Sequence, residues 1–318
     1  MAARATSASE GQSVVVGDDG WLFFAPELRH LTAGPFWGEA ARGASRAPSA
    51  EDADPLPAIL DLKAQLDQAG IALVFVPVPA KATIYPEALI ESWEARGPPP
   101  RIDRVHQEFI AQLEAAGVDV LDLVPDFHAH RQEARGPVYC KQDTHWSGVG
   151  IERAAARLAA LVRAQPWYGE VAGRGFSHEL RDVPVAGDLW RELPEPRPER
   201  EVLSLRFVGT AGTAGLEPVA PWRDSPVVLL GDSHNLVFHA GEELHARGAG
   251  LPDQLALELG FPVDLVAVRG SGATPSRVNL MRRRDRLQGK RLVIWCLSVR
   301  EYTEGQGWKR VPIVADEP

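Results

Sequence analysis

The chain has 318 residues, of which 45% are hydrophobic and 24% are charged, a composition typical of a soluble protein with a substantial core. Its net charge of −9 argues against a nucleic-acid partner and against an acidic membrane surface, because both require a basic protein surface. An anionic polysaccharide stays open as a partner, because a local basic cleft can lie within an acidic protein.

Taken in chain order, short apolar runs alternate with helical patterns, which indicates an α/β fold. Most of the runs are nearly continuous, as expected for a mostly parallel sheet that helices cover on both faces. The predicted strands cover residues 71–76, 118–123, 227–230, 263–268 and 292–297. The predicted helices cover residues 56–69, 101–116, 151–162, 254–259 and 275–287.

Two segments interrupt this alternation. Residues 34–54 are rich in alanine, glycine, serine and proline, and we expect them to form a loop or flap. Residues 173–221 combine many prolines, arginines and glutamates with short strand-like pieces, and they are predicted to be an insertion. We therefore expect a single domain over residues 12–302, with tails at 1–11 and 303–318.

The first eleven residues are small and polar, without the hydrophobic stretch that a signal peptide carries. No apolar run approaches the ~20 residues that a membrane span needs. The residues alone therefore predict a soluble chain that is not exported. Cys140 and Cys296 are too few for a disulfide framework. Whether they pair stays open, although the apolar run around Cys296 favours a buried free thiol.

A candidate nucleophile follows the third predicted strand, which runs directly into Gly231, Asp232 and Ser233. A serine on a tight glycine turn just after a strand is held at the sheet edge, where backbone N–H groups can face a developing oxyanion. Open α/β sheets place their sites at the carboxyl ends of their strands. The pattern favours Ser233 as a nucleophile over a simple turn, although turns are rich in these residue types.

A serine nucleophile needs a base, and the strongest candidate among the nine histidines is His145. Asp143 lies two residues earlier, so an extended backbone turns both side chains to the same side. Asp143 can then hold the Nδ1–H of the imidazole and leave Nε2 to accept the serine proton. Ser147 is expected at or near the N-cap of the helix that follows.

Two alternatives exist for His145. It can form a purely structural hydrogen bond in its loop, or it can join His128, His130 and Asp143 in a metal site. His128 and His130 follow a proline-containing turn and lack a matching carboxylate motif. The sequence therefore favours the catalytic interpretation, with no metal and no cofactor.

Four stretches of this chain resemble one known family, the AlgX/AlgJ-type SGNH hydrolase-like proteins, which include alginate O-acetyltransferases. They are Gly-Asp-Asp-Gly-Trp-Leu-Phe at 17–23, Val-Pro-Val-Pro-Ala-Lys at 76–81 followed by Tyr-Pro-Glu at 85–87, Asp-Thr-His-Trp at 143–146, and Gly-Asp-Ser at 231–233. The order is similar too, because the Asp/His pair precedes the serine. The resemblance spans about residues 17–301.

The resemblance implies an SGNH-hydrolase-like, flavodoxin-like fold and transfer of acetyl groups to the hydroxyls of an alginate-like exopolysaccharide in the periplasm. Ser233 would carry an acetyl ester, His145 would act as general base and then acid, and Asp143 would orient it. A membrane-bound O-acyltransferase would supply the acetyl group. Because the residues alone predict no export, a cytoplasmic location stays open. The AlgX family member carries a further carbohydrate-binding module, which we expect to be absent here.

Further site residues are predicted from their places after strands. The backbone N–H of Ser233 and that of Gly270 or Gly272 are candidate oxyanion donors, because glycine permits close approach. Asn279 is a weaker candidate within a predicted helix. Arg300 can hold a uronate carboxylate at the same edge, and Lys81 follows the first strand in a similar way. Trp146 and, less directly, Trp190 are candidates for stacking on sugar rings.

Two other functions compete with O-acetyl transfer. A carbohydrate esterase would use the same three side chains but pass the acyl group to water. A non-catalytic exopolysaccharide-assembly protein would keep the site in a degenerate form.

Overall fold

The structure, a computed structural model, describes residues 13–90, 100–213 and 215–314. The strands are β1 (Val14–Val16), β2 (Leu22–Phe24), β3 (Ala72–Val78), β4 (Asp119–Val120), β5 (Ser177–Pro184), β6 (Val202–Gly212), β7 (Gly215–Pro218), β8 (Val227–Gly231), β9 (Asp264–Ala267) and β10 (Leu292–Ser298). The α-helices are α1 (Ala25–Thr32), α2 (Ala41–Ala44), α3 (Pro55–Gln68), α4 (Lys81–Ile84), α5 (Arg104–Ala115), α6 (Val124–His130), α7 (Gly148–Arg163), α8 (Asp188–Arg191), α9 (Leu251–Leu259), α10 (Thr274–Arg282) and α11 (Glu301–Glu304).

A five-stranded parallel sheet lies at the centre of the molecule, with the strand order β4-β3-β10-β8-β9. All five apolar runs that were predicted as strands belong to it, and the interrupted run at 118–123 forms the short edge strand β4. The predicted fold class, a mostly parallel sheet flanked by helices, is therefore confirmed.

Helices cover both faces of this sheet because side chains alternate along each buried strand. On β3, Val74 and Val76 pack into a cluster with α7 and α9, whereas Leu73 and Phe75 pack into the opposite cluster with α3 and α5. Burial on both faces explains why the strands are almost continuously apolar in sequence.

The parallel strands bring several carboxyl ends to one edge of the sheet. β3 ends at Val78, β8 ends at Gly231 and β10 ends at Ser298. A one-turn 3₁₀ helix, Ser233–Asn235, follows β8 directly. This edge is where an open α/β sheet places a functional site.

A second, antiparallel sheet of order β5-β6-β7 lies within the segment that was predicted to be an insertion at 173–221. Its central strand β6 packs on the main body through Leu205, which is fully buried, and through Arg206, whose Nε donates to Gln254 Oε1 on α9 at 2.7 Å. β5 is exposed along almost its whole length. The sheet is therefore attached to the helical layer through β6.

The amino-terminal hairpin of β1 and β2 was not predicted as an element. It contacts the centre of the molecule directly, because the Leu22 N–H donates to the Lys141 carbonyl at 2.8 Å. Gly17 makes the approach possible, since a Cβ there would lie 2.3 Å from the Ala88 carbonyl oxygen. The hairpin thus covers the loop that carries Asp143 and His145.

The segment at 34–54, expected to be a loop or flap, contains α2 and a buried anchor. Phe36 is 1% exposed and stacks on Tyr302 with ring centroids 4.6 Å apart. The predicted tail at 303–318 needs a correction, because Trp308 is buried and lies 5.7 Å from the Trp295 ring. Residues 303–314 therefore belong to the packed structure. The predicted tail at 1–11, together with 315–318, lies outside the described residues.

Cys140 and Cys296 are both buried free thiols. Within residues 13–90, 100–213 and 215–314, no helix has the length and apolar character needed to cross a membrane.

Candidate active site

The serine segment is fixed by contacts to the central strand of the sheet. At Gly231 a Cβ would lie 1.7 Å from the Cys296 carbonyl oxygen, so only glycine fits where β8 approaches β10. Asp232 then holds the turn: its Oδ1 accepts from the His234 N–H at 2.9 Å and its Oδ2 from the Ser298 N–H at 2.7 Å. Ser233 begins the 3₁₀ turn, and the first N–H groups of a helical turn have no partner within it.

The histidine segment is a short bridge that leads into α7. The Cys140 N–H donates to the His145 carbonyl at 3.2 Å, and the Ser147 hydroxyl accepts from the Gly150 N–H as the N-cap of the helix. The expected N-cap is therefore present. Because both ends of the segment are bonded, the side chain of His145 is held by a rigid support.

The structure brings the three predicted side chains together in one hydrogen-bonded chain. Nε2 of His145 lies 2.8 Å from Oγ of Ser233, and Nδ1 of His145 lies 2.6 Å from Oδ1 of Asp143. All three residues are 6% exposed or less. The distances and the order of the groups are those of a serine nucleophile, a base and an orienting carboxylate.

Asp143 and His145 shift each other's pKa in opposite directions. Burial alone would raise the pKa of Asp143, but the charges of, and hydrogen bonds from, His145 and His245 hold it well below its usual value. Burial alone would lower the pKa of His145, but Asp143 outweighs burial and raises it. His145 is thereby a stronger base than a free imidazole, as proton abstraction from a hydroxyl requires.

Two contacts to Asp143 were missed by the sequence reasoning. Its Oδ2 accepts from the Asp188 N–H at 2.8 Å and lies 2.8 Å from Nε2 of His245. The Asp188 carboxylate in turn accepts from the Thr144 N–H and hydroxyl, at 2.8 and 2.6 Å. No spacing links these residues to Asp143, because His245 lies 102 positions away in a segment with no motif.

Two predicted substrate contacts must be corrected. Lys81 is 1% exposed, and its Nζ donates to the carbonyls of Leu22 and Asp143 at 2.8 and 2.5 Å. Trp146 is fully buried, and its Nε1 donates to the His234 carbonyl at 3.0 Å. Because the hairpin and the nucleophile turn cover them, neither side chain has a surface to offer a sugar. Lys81 instead fixes the backbone that carries Asp143.

Arg300, by contrast, lies half-buried at the same sheet edge. Its Nη1 is 3.3 Å from Oγ of Ser298, and its guanidinium lies 5.4 Å from the Phe24 ring centroid. Its charge acts on both His145 and Asp232. Within the described parts of the chain it forms no ion pair with a carboxylate. The site therefore contains a half-buried cation whose electrostatic partners, including Glu27 and Asp232, lie beyond ion-pair distance.

The two candidate oxyanion glycines differ in position. A Cβ at Gly272 would lie 2.6 Å from the Asp232 nitrogen, so Gly272 packs directly on the nucleophile turn. Gly270 is exposed, with a φ of 86°, and nothing lies within 4 Å of a Cβ placed on it. Asn279, the weaker oxyanion candidate, is exposed on α10. Trp190, the candidate for stacking on a sugar ring, donates from Nε1 to the Pro198 carbonyl at 2.8 Å. Gly272 is the glycine that contacts the site.

The alternative metal site is not assembled. His128 lies 3.0 Å from the Thr83 carbonyl, and His130 lies 2.7 Å from the Asp126 carbonyl. Among the described residues, one group places ligand atoms within 4.8 Å of one another, and it consists of Asp143, His145 and Asp188. Their oxygen and nitrogen atoms are already engaged in the hydrogen bonds given above.

Comparison with known proteins supplies a context for this geometry. Residues 14–299 match the family model of the SGNH hydrolase-like domain of the acetyltransferase AlgX. The chain is 33% identical over 196 residues to the probable alginate O-acetylase AlgJ of Pseudomonas aeruginosa, which covers 59% of this chain and 44% of that protein. It is 26% identical over 291 residues to the probable alginate O-acetylase AlgJ of Azotobacter vinelandii, and this alignment covers 89% of this chain and 68% of that protein.

Solved structures give a similar result. The O-acetyltransferase domain of Pseudomonas putida AlgJ superposes with a TM-score of 0.65 at 26% identity, covering 91% of this chain and 92% of that one. Pseudomonas aeruginosa AlgX superposes with a TM-score of 0.62 at 20% identity, covering 90% of this chain and 61% of that one, and this similarity supports the fold. The chain spans about half the length of the curated relatives it matches.

Proposed function

Because the chain belongs to the AlgX-type SGNH hydrolase-like family, we propose that it transfers acetyl groups to hydroxyls of an alginate-like polysaccharide through an acetyl ester on Ser233. The observation that carries this proposal is the continuous chain from Oγ of Ser233 through His145 to Asp143, with distances of 2.8 and 2.6 Å. The names of the similar proteins support the class of reaction.

The proposed reaction has two halves. In the first, Oγ of Ser233 attacks the acetyl carbonyl of the donor while Nε2 of His145 takes the hydroxyl proton and then gives it to the leaving group. In the second, His145 takes a proton from a sugar hydroxyl, whose oxygen attacks the acetyl-serine ester. The proton returns to Oγ of Ser233 as the ester bond breaks, and the free enzyme is restored.

Each half passes through a tetrahedral oxyanion that needs hydrogen-bond donors. The Ser233 N–H, at the start of its 3₁₀ turn, is the first proposed donor. The Gly272 N–H is the second, because Gly272 packs on the backbone of Asp232. Gly270 is not proposed for this role, because it is exposed and nothing lies within 4 Å of a Cβ placed on it.

Arg300 is proposed to bind the carboxylate of a uronate unit. It is a half-buried guanidinium without a carboxylate partner in the described residues, and its charge reaches the base. A planar guanidinium matches a carboxylate in a two-pronged geometry. A negatively charged polymer can therefore be recognised locally despite the net charge of −9. A membrane-bound O-acyltransferase as acetyl donor and a periplasmic location complete the proposal.

The central experiment compares acetyl release with acetyl transfer. The wild type is incubated with a chromogenic acetyl ester, with and without oligouronide. The masses of the products and of the intact protein are then measured by mass spectrometry. We expect an acetylated protein, acetylated oligouronide, and loss of both in Ser233→Ala. The matched control is Ser225→Ala, because Ser225 is also buried but lies at the other end of β8. Release of acetate with no acetylated sugar would identify an esterase, and an unlabelled Ser233 would identify a non-catalytic protein.

A second experiment addresses the proposed uronate contact. Arg300→Gln should raise KM for an oligouronide about tenfold to a hundredfold, the effect of losing a charge-assisted hydrogen bond. KM for a neutral oligosaccharide should stay unchanged, and Arg300→Lys should restore part of the affinity. Equal effects on charged and neutral acceptors would contradict the assignment.

A further inference from the structure

We propose that His245 is a positioning residue that locks the Asp143 carboxylate and thereby fixes the orientation of the base. The inference rests on the proposed function, since it concerns the same site. It extends the hydrogen-bonded series from three side chains to four, in the order Ser233, His145, Asp143 and His245.

The first argument is the occupancy of the carboxylate. Oδ1 of Asp143 serves His145 twice, through the backbone N–H at 3.0 Å and the ring Nδ1 at 2.6 Å. Oδ2 is left to two other groups, the Asp188 N–H at 2.8 Å and Nε2 of His245 at 2.8 Å. An ionised carboxylate has about four acceptor positions, so this set fills them. A carboxylate held at both oxygens cannot rotate away from the imidazole of His145.

The second argument is the backbone of His245. Its φ of 74° and ψ of −78° lie in the region of the classic γ-turn, and the Ala246 N–H donates to the Leu244 carbonyl across it at 3.1 Å. This turn is rare and strained, and residues other than glycine rarely adopt it. Such strain persists where the surroundings impose it. Here the turn aims the imidazole at Asp143, with the side chain only 5% exposed.

The third argument is the origin of the histidine. His245 lies on the same loop as the nucleophile, twelve residues after Ser233. The nucleophile loop therefore meets the histidine loop at three places, through Ser233 to His145, through the His234 carbonyl to Trp146, and through His245 to Asp143. Of these contacts, the one from His245 holds the orienting carboxylate itself against sliding of one loop along the other. Geometry of this kind matters because a displacement of about 1 Å can lower a rate roughly a hundredfold.

The same loop supplies a matched control. His239 forms a similar pair, with its Nδ1 2.9 Å from Oδ2 of Asp253, and its side chain is 12% exposed. That pair lies at the start of α9, where Asp253 also accepts from the Gly250 N–H at 2.9 Å. The two histidines therefore share a loop and a type of contact, but only His245 reaches the reacting groups.

The experiment compares His245→Gly, His245→Gln and His239→Ala. Glycine removes the imidazole and suits the positive φ, so the backbone strain is relieved rather than increased. Glutamine keeps an N–H donor at a similar reach. We expect His245→Gly to lower kcat about tenfold to a hundredfold with KM nearly unchanged, His245→Gln to recover most of the rate, and His239→Ala to keep wild-type kcat.

A second measurement keeps the inference separate from the proposed function. The Nδ1–H of His145, bonded to Asp143, should give a far-downfield proton resonance that disappears in His145→Gln. In His245→Gly it should weaken or shift, while His245→Gln and His239→Ala should retain it. Wild-type kcat and an unchanged resonance in His245→Gly would overturn the inference. A wild type without any acetyl transfer, but with the resonance sensitive to His245, would overturn the proposed function alone.

Discussion

The site contains two Asp-x-His pairs that face each other, Asp143 with His145 and Asp232 with His234. In each pair Oδ1 of the aspartate accepts from the backbone N–H two residues on, at 3.0 and 2.9 Å, and lies near the ring Nδ1, at 2.6 and 3.2 Å. The ring centroids of the two histidines are 4.8 Å apart. Local geometry alone would suggest two equivalent bases near Ser233.

The two imidazoles nevertheless differ in basicity. Burial alone would lower the pKa of both imidazoles. Asp143 outweighs burial and raises the pKa of His145, whereas Asp232 does not outweigh burial and the pKa of His234 stays below its ordinary value. The shorter contact to Asp143 and the charge of Asp188 both favour protonated His145. Asp232 instead has a structural task, because its Oδ2 holds the Ser298 N–H at the end of β10. The spacing orients a histidine, and the wider environment decides whether it is a base.

The largest expected effect separates the two histidines. His145→Gln should lower kcat by about a millionfold, as expected when the base of a serine enzyme is lost. His234→Gln should keep kcat within about tenfold of the wild type, because the ring of His234 is buried and burial lowers its pKa, and the main effect of the substitution should be on Tm. Acetyl transfer is measured together with thermal unfolding. An inactive but fully folded His234→Gln would show that both imidazoles take part in the reaction.

The next expected effect separates the two aspartates. Asp143→Asn should lower kcat by about 10,000-fold, because the imidazole loses its orienting charge. In the wild type, kcat/KM should rise with pH through an apparent pKa above 6.5, since Asp143 raises the pKa of His145. The variant should show that apparent pKa shifted downwards. A pH profile that is identical in wild type and variant would contradict the assigned roles.

Asp232 should have its main effect on acid stability. Burial alone would raise its pKa, but His234, Arg300 and the Ser298 N–H hold it below the ordinary value of 3.8. The associated stability is therefore present above pH 3.8 and lost as the pH falls through the lower folded pKa. Asp232→Asn should unfold more easily at pH 7, and its difference from the wild type should shrink below pH 3.8. Denaturant titrations at several pH values measure this, and a constant difference would be inconsistent with it.

The smallest expected effect concerns Glu301, whose pKa depends on the charge of Asp232. Burial, followed by the charge of Asp232, raises the pKa of Glu301 from 4.5 to about 7. A carboxyl with a raised folded pKa contributes stability below pH 4.5 that is lost as the pH rises to about 7. Glu301→Gln should flatten the stability profile across that range. In Asp232→Asn the carboxyl resonance of Glu301 should titrate at a lower pH, and an unshifted titration would remove Asp232 as a cause.

The sequence was informative where function depends on local spacing. The buried run of β8 predicted where Ser233 would stand, and the two-residue step from Asp143 to His145 predicted that their side chains would turn the same way. Both features depend on neighbours in the chain. The structure also places Nε2 of His145 next to Ser233, 88 residues away, as expected from the need of a serine nucleophile for a base.

The sequence was least informative where burial or distant contacts decide. Lys81 and Trp146 are residue types found at sugar-binding surfaces. The hairpin of β1 and β2 covers Lys81 and the nucleophile turn covers Trp146, and no local pattern encodes this packing. His245 reaches Asp143 through a strained turn, and its neighbours Glu243 and Leu244 give no signal of it. The residues around Trp308 lack regular secondary structure, so their burial against Trp295 could not be read from periodicity.

The position of β10 has a consequence for how the chain is made. Among the described residues it is the last strand in chain order, yet it lies at the middle of the central sheet, between β3 and β8. A chain emerging from the ribosome folds from its amino terminus, so these two neighbours appear long before the strand that joins them. Until residues 292–298 emerge, β3 and β8 lack the strand that pairs with both of them. We therefore expect the serine and histidine segments to reach their final positions only after β10 has entered the sheet.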